Sequence, residues 1–141
     1  MKLIKEDSYY KIYWYDTEQT IIVGEVHVGW TWSTAYDGLK ILNETIRQRS
    51  NEVDVYSIIH FQSGAQLLPK SGSILTNLRN LLNDDPQYEK MTFYVIQTGF
   101  LHSMMQIVSR LYGIRHWVER HRFVNTLDEA LVLIENDKHF S

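Results

Sequence analysis

Segments with the period of a β-strand alternate with segments with the period of an α-helix along most of this 141-residue chain. Two strand-like runs come first, Tyr9–Tyr15 and Thr20–Trp32, and the polar segment Asp16–Gln19 joins them. Both runs are rich in aromatic and β-branched residues, which favour strands. Because a short polar turn separates them, they predict an antiparallel hairpin.

The second run of this hairpin alternates in polarity. Its odd positions include Glu25, His27 and Thr31, whereas five of its even positions are apolar. Alternation with period 2 predicts that the even face points into the core. The residues of this face are Ile22, Val26, Val28, Trp30 and Trp32. Ser33 then predicts the start of a helix, because its hydroxyl can accept a hydrogen bond from a free backbone N–H.

Helical stripes and further strands follow in turn. The predicted helices are 33–50, 74–82, 101–111 and one that begins after Thr126, and the predicted strands between them are Val53–Phe61, Met91–Gln97 and Arg122–Val124. The order is therefore ββαβαβαβα. Strands that alternate with helices pair in parallel through right-handed crossovers. The sequence predicts a single α/β domain over residues 1–141, with a mostly parallel sheet and an opening antiparallel hairpin.

Composition excludes several classes of function. The chain has 14 Lys and Arg against 17 Asp and Glu, a net charge of -3, so no general attraction to nucleic acid or anionic membranes is expected. It has no cysteine, and none of its apolar runs approaches the ~18 residues of a membrane span. A cytoplasmic location is therefore expected. Common phosphate-loop, dinucleotide and hydrolase motifs are absent and the six histidines are scattered, so no cofactor, metal site or catalytic residue is predicted.

The closing segment Arg122-Phe123-Val124-Asn125-Thr126-Leu127-Asp128-Glu129-Ala130-Leu131 leads from a strand into a helix through a Thr-x-x-Glu capping box. Together with the order ββαβαβαβα, this segment resembles the STAS domain family and its lipid-binding-like relatives. The resemblance implies a non-enzymatic regulatory module that binds a protein partner. In the best-known members, phosphorylation of a serine at the start of the second helix switches the module, and the site reads roughly Asp-Ser-Ser-Gly.

Here Lys70 stands where that family motif has its acidic residue, in the segment Pro69-Lys70-Ser71-Gly72-Ser73. A kinase that recognises the motif would meet the wrong charge, so we expect a module without the phosphorylation switch. Ser71 or Ser73 also fits the simpler role of a helix N-cap.

A second functional class is a binding protein or enzyme for a small anionic or apolar ligand. His60 lies near the end of a predicted strand, where open α/β sheets bind ligands, although a hydrogen-bonded strand-end histidine is an alternative. The candidate pocket residues are His60, Ser63, Ser71 and Ser73. A candidate anion site comprises Arg110, Arg115, Arg120 and Arg122, which could instead form a solvated face.

The hairpin also carries a candidate interface. Tyr9, Tyr13 and Tyr15 alternate with Tyr10, Ile12 and Trp14, and the two sets point to opposite faces of a strand. One row is therefore expected to be exposed or covered by a partner, and tyrosine is enriched at interfaces. We predict a protein partner or a homodimer that forms through the hairpin edge, where unpaired backbone groups invite pairing.

Overall fold

The computed structural model describes residues 1–65, 68–70, 72–83, 88–97, 99–111 and 120–140. The described chain forms an α/β structure around one six-stranded mixed sheet, in which the strands lie side by side in chain order. The strands are β1 (Lys2–Glu6), β2 (Tyr10–Trp14), β3 (Ile21–Val26), β4 (Tyr56–Phe61), β5 (Met91–Val95) and β6 (His121–Val124). The described helices are α1 (Trp32–Ser50), α2 (Ile74–Asn83), α3 (Phe100–Leu111) and α4 (Leu127–Phe140).

The sheet begins antiparallel and continues parallel. β1 pairs with β2 and β2 with β3 in antiparallel ladders, whereas β3, β4, β5 and β6 pair in parallel. The predicted α/β class, the hairpin and the parallel part of the sheet are therefore confirmed at this level. β4 lies between β3 and β5, in the interior of the sheet.

The first strand, β1, was not predicted. Lys2, Lys5 and Glu6 give the segment no apolar period, and β1 is largely exposed along its length. It nevertheless pairs with β2, with an irregularity in register between Leu3 and Lys5. Charged side chains and a bulge are common on edge strands because they discourage pairing with another sheet. β1 therefore occupies the edge of β2 on which the predicted homodimer depended.

The second predicted strand was too long at its C-terminal end. β3 ends at Val26, and Gly29 then adopts a positive φ of 85°. Val28 is 60% exposed, so its predicted position in the core was wrong. The helix α1 is capped by Thr31 rather than by the predicted Ser33. The Thr31 hydroxyl accepts a hydrogen bond from the backbone N–H of Thr34, whose hydroxyl accepts from the N–H of Thr31.

The strands from β2 to β5 alternate between two covered faces of the sheet. On one face, α1, α2 and α3 pack on residues such as Ile22, Ile59 and Phe61. On the other face, α4 packs through Ala130 and Ile134 on residues that include Tyr56, Ile58, Phe93 and Val95. The central strands are therefore apolar on both sides, as expected for parallel strands between two layers of helices.

Local hydrogen bonds fix the hairpin turn. The Asp16 carboxylate accepts hydrogen bonds from the backbone N–H groups of Thr20 and Ile21, each at 2.9 Å, and from the Thr20 hydroxyl. Burial alone would raise the pKa of Asp16, but these hydrogen bonds outweigh it and lower the pKa. Arg49 at the end of α1 donates to the carbonyl groups of Glu18 and Gln19, which ties the turn to the helix.

The predicted capping residues of α4 are in place. The Thr126 hydroxyl accepts a hydrogen bond from the backbone N–H of Glu129 at 3.1 Å. The Glu129 carboxylate reaches back to the N–H of Asn125, one residue earlier than in the predicted capping box. Among the helices of the described chain, none combines the length and apolar character that crossing a bilayer requires.

Candidate functional site

A cavity of about 160 Å³ lies between the sheet and the helices α1, α2 and α3. The five strands from β2 to β6 all contribute to its wall. The helices add Leu39, Leu42 and Ile46 of α1, residues of α2, and Met105 of α3. Most of the lining is apolar. The lining also includes Tyr9, which is 39% exposed, so the cavity approaches the protein surface beside the start of β2.

Gly24 helps to make this space. It lies on β3, and a Cβ atom at this position would be 3.6 Å from Cδ1 of Ile59 and 4.0 Å from Cδ1 of Leu42. Both distances are ordinary van der Waals contacts. The absence of a side chain at Gly24 therefore leaves room for about one methyl group between β4 and α1.

The apolar wall of the cavity is interrupted by a short chain of polar side chains, here called the hydroxyl chain: Ser57, Thr92 and Glu89. Ser57 and Thr92 are paired across β4 and β5, and their hydroxyl oxygens are 2.6 Å apart. The Thr92 hydroxyl also donates to Oε1 of Glu89 at 3.2 Å. All three residues are at most 4% exposed. Their position at the amino ends of β4 and β5 is opposite to the strand ends where a ligand was expected.

Glu89 is a buried acidic residue held just before β5. The Arg120 guanidinium donates a hydrogen bond to its backbone carbonyl, which places a positive charge next to it. Glu89 supplies the acceptor at the end of the hydroxyl chain.

A second polar pair lies in the same wall. Tyr94 of β5 and His121 of β6 stack with ring centroids 5.6 Å apart, and the Tyr94 hydroxyl is 3.1 Å from Nδ1 of His121. His121 is 6% exposed and pairs in register with Thr92. The cavity is therefore an apolar space with buried polar groups at one end, an arrangement typical of small-molecule sites.

The predicted ligand pocket is not assembled at the carboxyl ends of the strands. His60 lies at that end of β4, but its position alternates with Ile59 and Phe61, so its side chain is on the opposite face from α2. Ser73 caps α2 by accepting from the N–H of Thr76 at 3.2 Å, and Ser63 is exposed in the turn after β4. Ser71 lies outside the described residues.

His60 belongs instead to a polar group on the α4 face. Its Nδ1 is 3.3 Å from Nε2 of Gln62, and it pairs in register with Glu25, which is 3.2 Å from His27. Burial lowers the pKa of His60, although the nearby Glu25 opposes the shift. His60 is therefore a hydrogen-bonded strand-end histidine, as the alternative interpretation proposed.

The arginines do not form one anion site within the described residues. Arg110 is exposed in the last turn of α3. Arg120 donates a hydrogen bond to the backbone carbonyl of Glu89, and Arg122 is exposed and donates to the backbone carbonyl of His121. Arg115 lies outside the described residues. Arg120 and Arg122 carry structural hydrogen bonds, so the predicted cluster is divided among different contacts.

The tyrosine row predicted on the hairpin is also divided. Tyr9 and Tyr15 are exposed, at 39% and 42%, but Tyr13 is 4% exposed and lies in the core under α4. Burial, followed by the charge of Glu25 and a hydrogen bond to it, raises the pKa of Tyr13 to about 12. The exposed position predicted for Tyr13 was wrong because both faces of the hairpin are covered.

The cavity residues were missed by sequence reasoning. Ser57 and Thr92 are small hydroxyl residues within strands rich in apolar residues, and Glu89 was not considered. The available signal was that a polar residue inside a strand covered on both faces must find a buried partner. Applied to the strand 53–61, that rule would have included Ser57 among the residues that need a buried partner.

Among the described residues, no three histidine, aspartate or glutamate side chains are grouped so that they could hold a metal ion. The chain matches no known protein-family model, no curated protein and no solved structure. The resemblance to the STAS family therefore rests on the predicted element order and the closing strand–helix segment, and it stays a prediction.

Proposed function

We propose that this protein binds a small, mostly apolar molecule in the cavity between the sheet and the helices α1, α2 and α3. The observation that supports the proposal is the cavity itself, with its volume of about 160 Å³ and its predominantly apolar wall. Well-packed cores contain few voids larger than a water molecule. A space of this size between three helices and a sheet therefore needs an explanation beyond imperfect packing.

The size of the cavity indicates the size of the ligand. An engineered apolar cavity of about 150 Å³ in another protein stays dry and binds benzene. We therefore expect a ligand of about six to eight non-hydrogen atoms, such as a substituted aromatic ring. A molecule of that size in an apolar pocket should bind with a Kd between roughly 10 µM and 1 mM.

The experiment is a titration with toluene, followed by NMR of the side-chain methyl groups. Binding in the cavity should shift the methyl signals of Leu42, Ile59 and Met105, which line it. Ile58 and Ile134 lie in the core on the opposite face of the sheet and serve as internal controls. Equal shifts in both sets of signals, or none at up to 5 mM toluene (about five times the weakest expected Kd), would contradict the proposal. Mass spectrometry of the purified protein would reveal a ligand that remains bound.

A protein-interaction role of the STAS type is a second proposal, and the exposed Tyr9 and Tyr15 favour it. Tyrosine side chains at these levels of exposure offer a large contact area at low entropic cost. The edge of the hairpin no longer supports it, because β1 pairs with β2. Sedimentation of the wild type and of Tyr15→Glu at micromolar concentration tests self-association: a dimer that the substitution dissociates would favour this role over a monomeric binding protein.

A further inference from the structure

We infer that the ligand of the cavity is a neutral apolar molecule carrying a hydroxyl group, and that this hydroxyl donates a hydrogen bond to Oγ of Ser57. The inference rests on the proposed function and adds the polar chemistry of the ligand to it. It follows from the direction of the hydrogen bonds along the hydroxyl chain.

The direction is set at Glu89. The Thr92 hydroxyl donates its hydrogen to Oε1 of Glu89, at a distance of 3.2 Å. A hydroxyl has a single hydrogen, and Thr92 therefore has none left for Ser57. The contact of 2.6 Å between the two hydroxyl oxygens then requires that Ser57 is the donor and Thr92 the acceptor.

Ser57 consequently offers only lone pairs to any molecule in the cavity. Its one hydrogen points to Thr92, whereas a hydroxyl oxygen can accept two hydrogen bonds. An alcohol or phenol satisfies this oxygen by donating to it. An ether or ketone would place its own lone pairs against those of Ser57 and would leave a buried acceptor without a donor, which is costly.

Charged ligands are disfavoured at the same position. A carboxylate or phosphate would meet the Ser57 lone pairs, with the acidic Glu89 beyond Thr92 along the hydroxyl chain. An ammonium group could also donate to Ser57, but it would have to leave water for a predominantly apolar wall, and a charge loses far more solvation there than a hydroxyl. The nearby Tyr94 and His121 already contact each other, with the Tyr94 hydroxyl 3.1 Å from Nδ1 of His121. A neutral hydroxyl is the group that fits these surroundings.

Three ligands of similar size separate these possibilities: toluene has no hydrogen-bonding group, phenol has a donor, and anisole has only an acceptor. Dissociation constants are measured for the wild type and for Ser57→Ala and Thr92→Val. In Ser57→Ala, phenol should lose affinity by roughly three- to tenfold, the usual worth of one hydrogen bond, while toluene binds at least as well as before.

Thr92→Val gives the opposite test. Valine has nearly the shape of threonine but cannot accept the Ser57 hydrogen, so that hydrogen becomes free to point into the cavity. Anisole should then gain affinity by roughly three- to tenfold, and phenol should still bind. Each variant decides the matter alone, so a folding defect in one leaves the other, and circular dichroism identifies such a defect.

The outcomes separate the two proposals. If none of the three molecules binds the wild type, the proposed function fails and the inference with it. If toluene binds but Ser57→Ala weakens the binding of phenol no more than that of toluene, the cavity exists and the donor assignment is wrong. The same conclusion follows if Ser57→Ala weakens the binding of anisole more than that of phenol.

Discussion

Replacing Gly24 with alanine should make the protein more stable and a poorer binder. The added Cβ would lie 3.6 Å from Cδ1 of Ile59 and 4.0 Å from Cδ1 of Leu42, so it fills existing space without a clash. Substituting glycine where the backbone allows alanine stabilises a protein by about 0.4–1 kcal/mol through the unfolded state. Burying a further methyl group adds up to about 0.8 kcal/mol.

The expected gain in the free energy of unfolding is therefore about 1–1.5 kcal/mol, which corresponds to an increase in Tm of roughly 3–6 °C for a chain of this length. Urea denaturation and a thermal scan measure both quantities. A ligand in the cavity would have to share its space with the new methyl group. Because overpacking costs about 1–3 kcal/mol, the affinity for toluene should fall by roughly fivefold or more.

Gly99→Ala is the matched control for ligand binding. Gly99 also has no positive φ, and among the residues that the structure describes the backbone oxygen of Gln97, at 3.8 Å, is the atom near its Cβ. It should leave the affinity for toluene unchanged. If Gly24→Ala lowers stability, or if toluene binds both variants equally well, the space beside Gly24 is not part of a ligand cavity.

Three further substitutions test the fold. Asp16→Asn removes a carboxylate whose pKa is lowered in the folded state. The stability that this carboxylate contributes is therefore present at neutral pH and is lost as the pH falls through the lowered pKa. Urea denaturation from pH 7 to pH 2 should show the free energies of unfolding of wild type and variant converge. Thr126→Ala should cost about 1 kcal/mol in the free energy of unfolding, and an unchanged value would mean that the cap does not stabilise α4. Gln19→Gly should raise Tm slightly, by the equivalent of about 0.5 kcal/mol, because Gln19 has a φ of 57°; a lower Tm would contradict strain at this position.

The parts of the fold that the sequence predicts are those with a clear local period. The hairpin, the parallel strands and the helices contain enough apolar residues at the right spacing to identify them. β1 lacks that signal, because an exposed edge strand gains its hydrogen bonds from β2 and buries little of its own surface. The end of β3 was missed because apolar residues continue through Trp32, while the turn at Gly29 depends on backbone conformation.

The site was harder to predict for a different reason. A cavity is the space that side chains from separate elements fail to fill, and no local pattern describes it. Ser57 and Thr92 meet only because β4 and β5 pair in a particular register. The same limit explains why the burial of Tyr13 was not predicted. The hairpin pattern places Tyr13 on the opposite face from Tyr10 and Trp14, but only the tertiary structure reveals that this second face is covered as well.

The chain order of the strands has a consequence for synthesis of the protein on the ribosome. Since each strand lies beside the one made just before it, the sheet can grow one strand at a time as the chain emerges, and its α1 to α3 face is covered along the way. The opposite face receives α4 only after all six strands have been made. Until α4 docks, Val23, Ile58 and Phe93 remain in water on a nearly complete sheet, so we expect the nascent chain to be most prone to aggregate just before this helix packs.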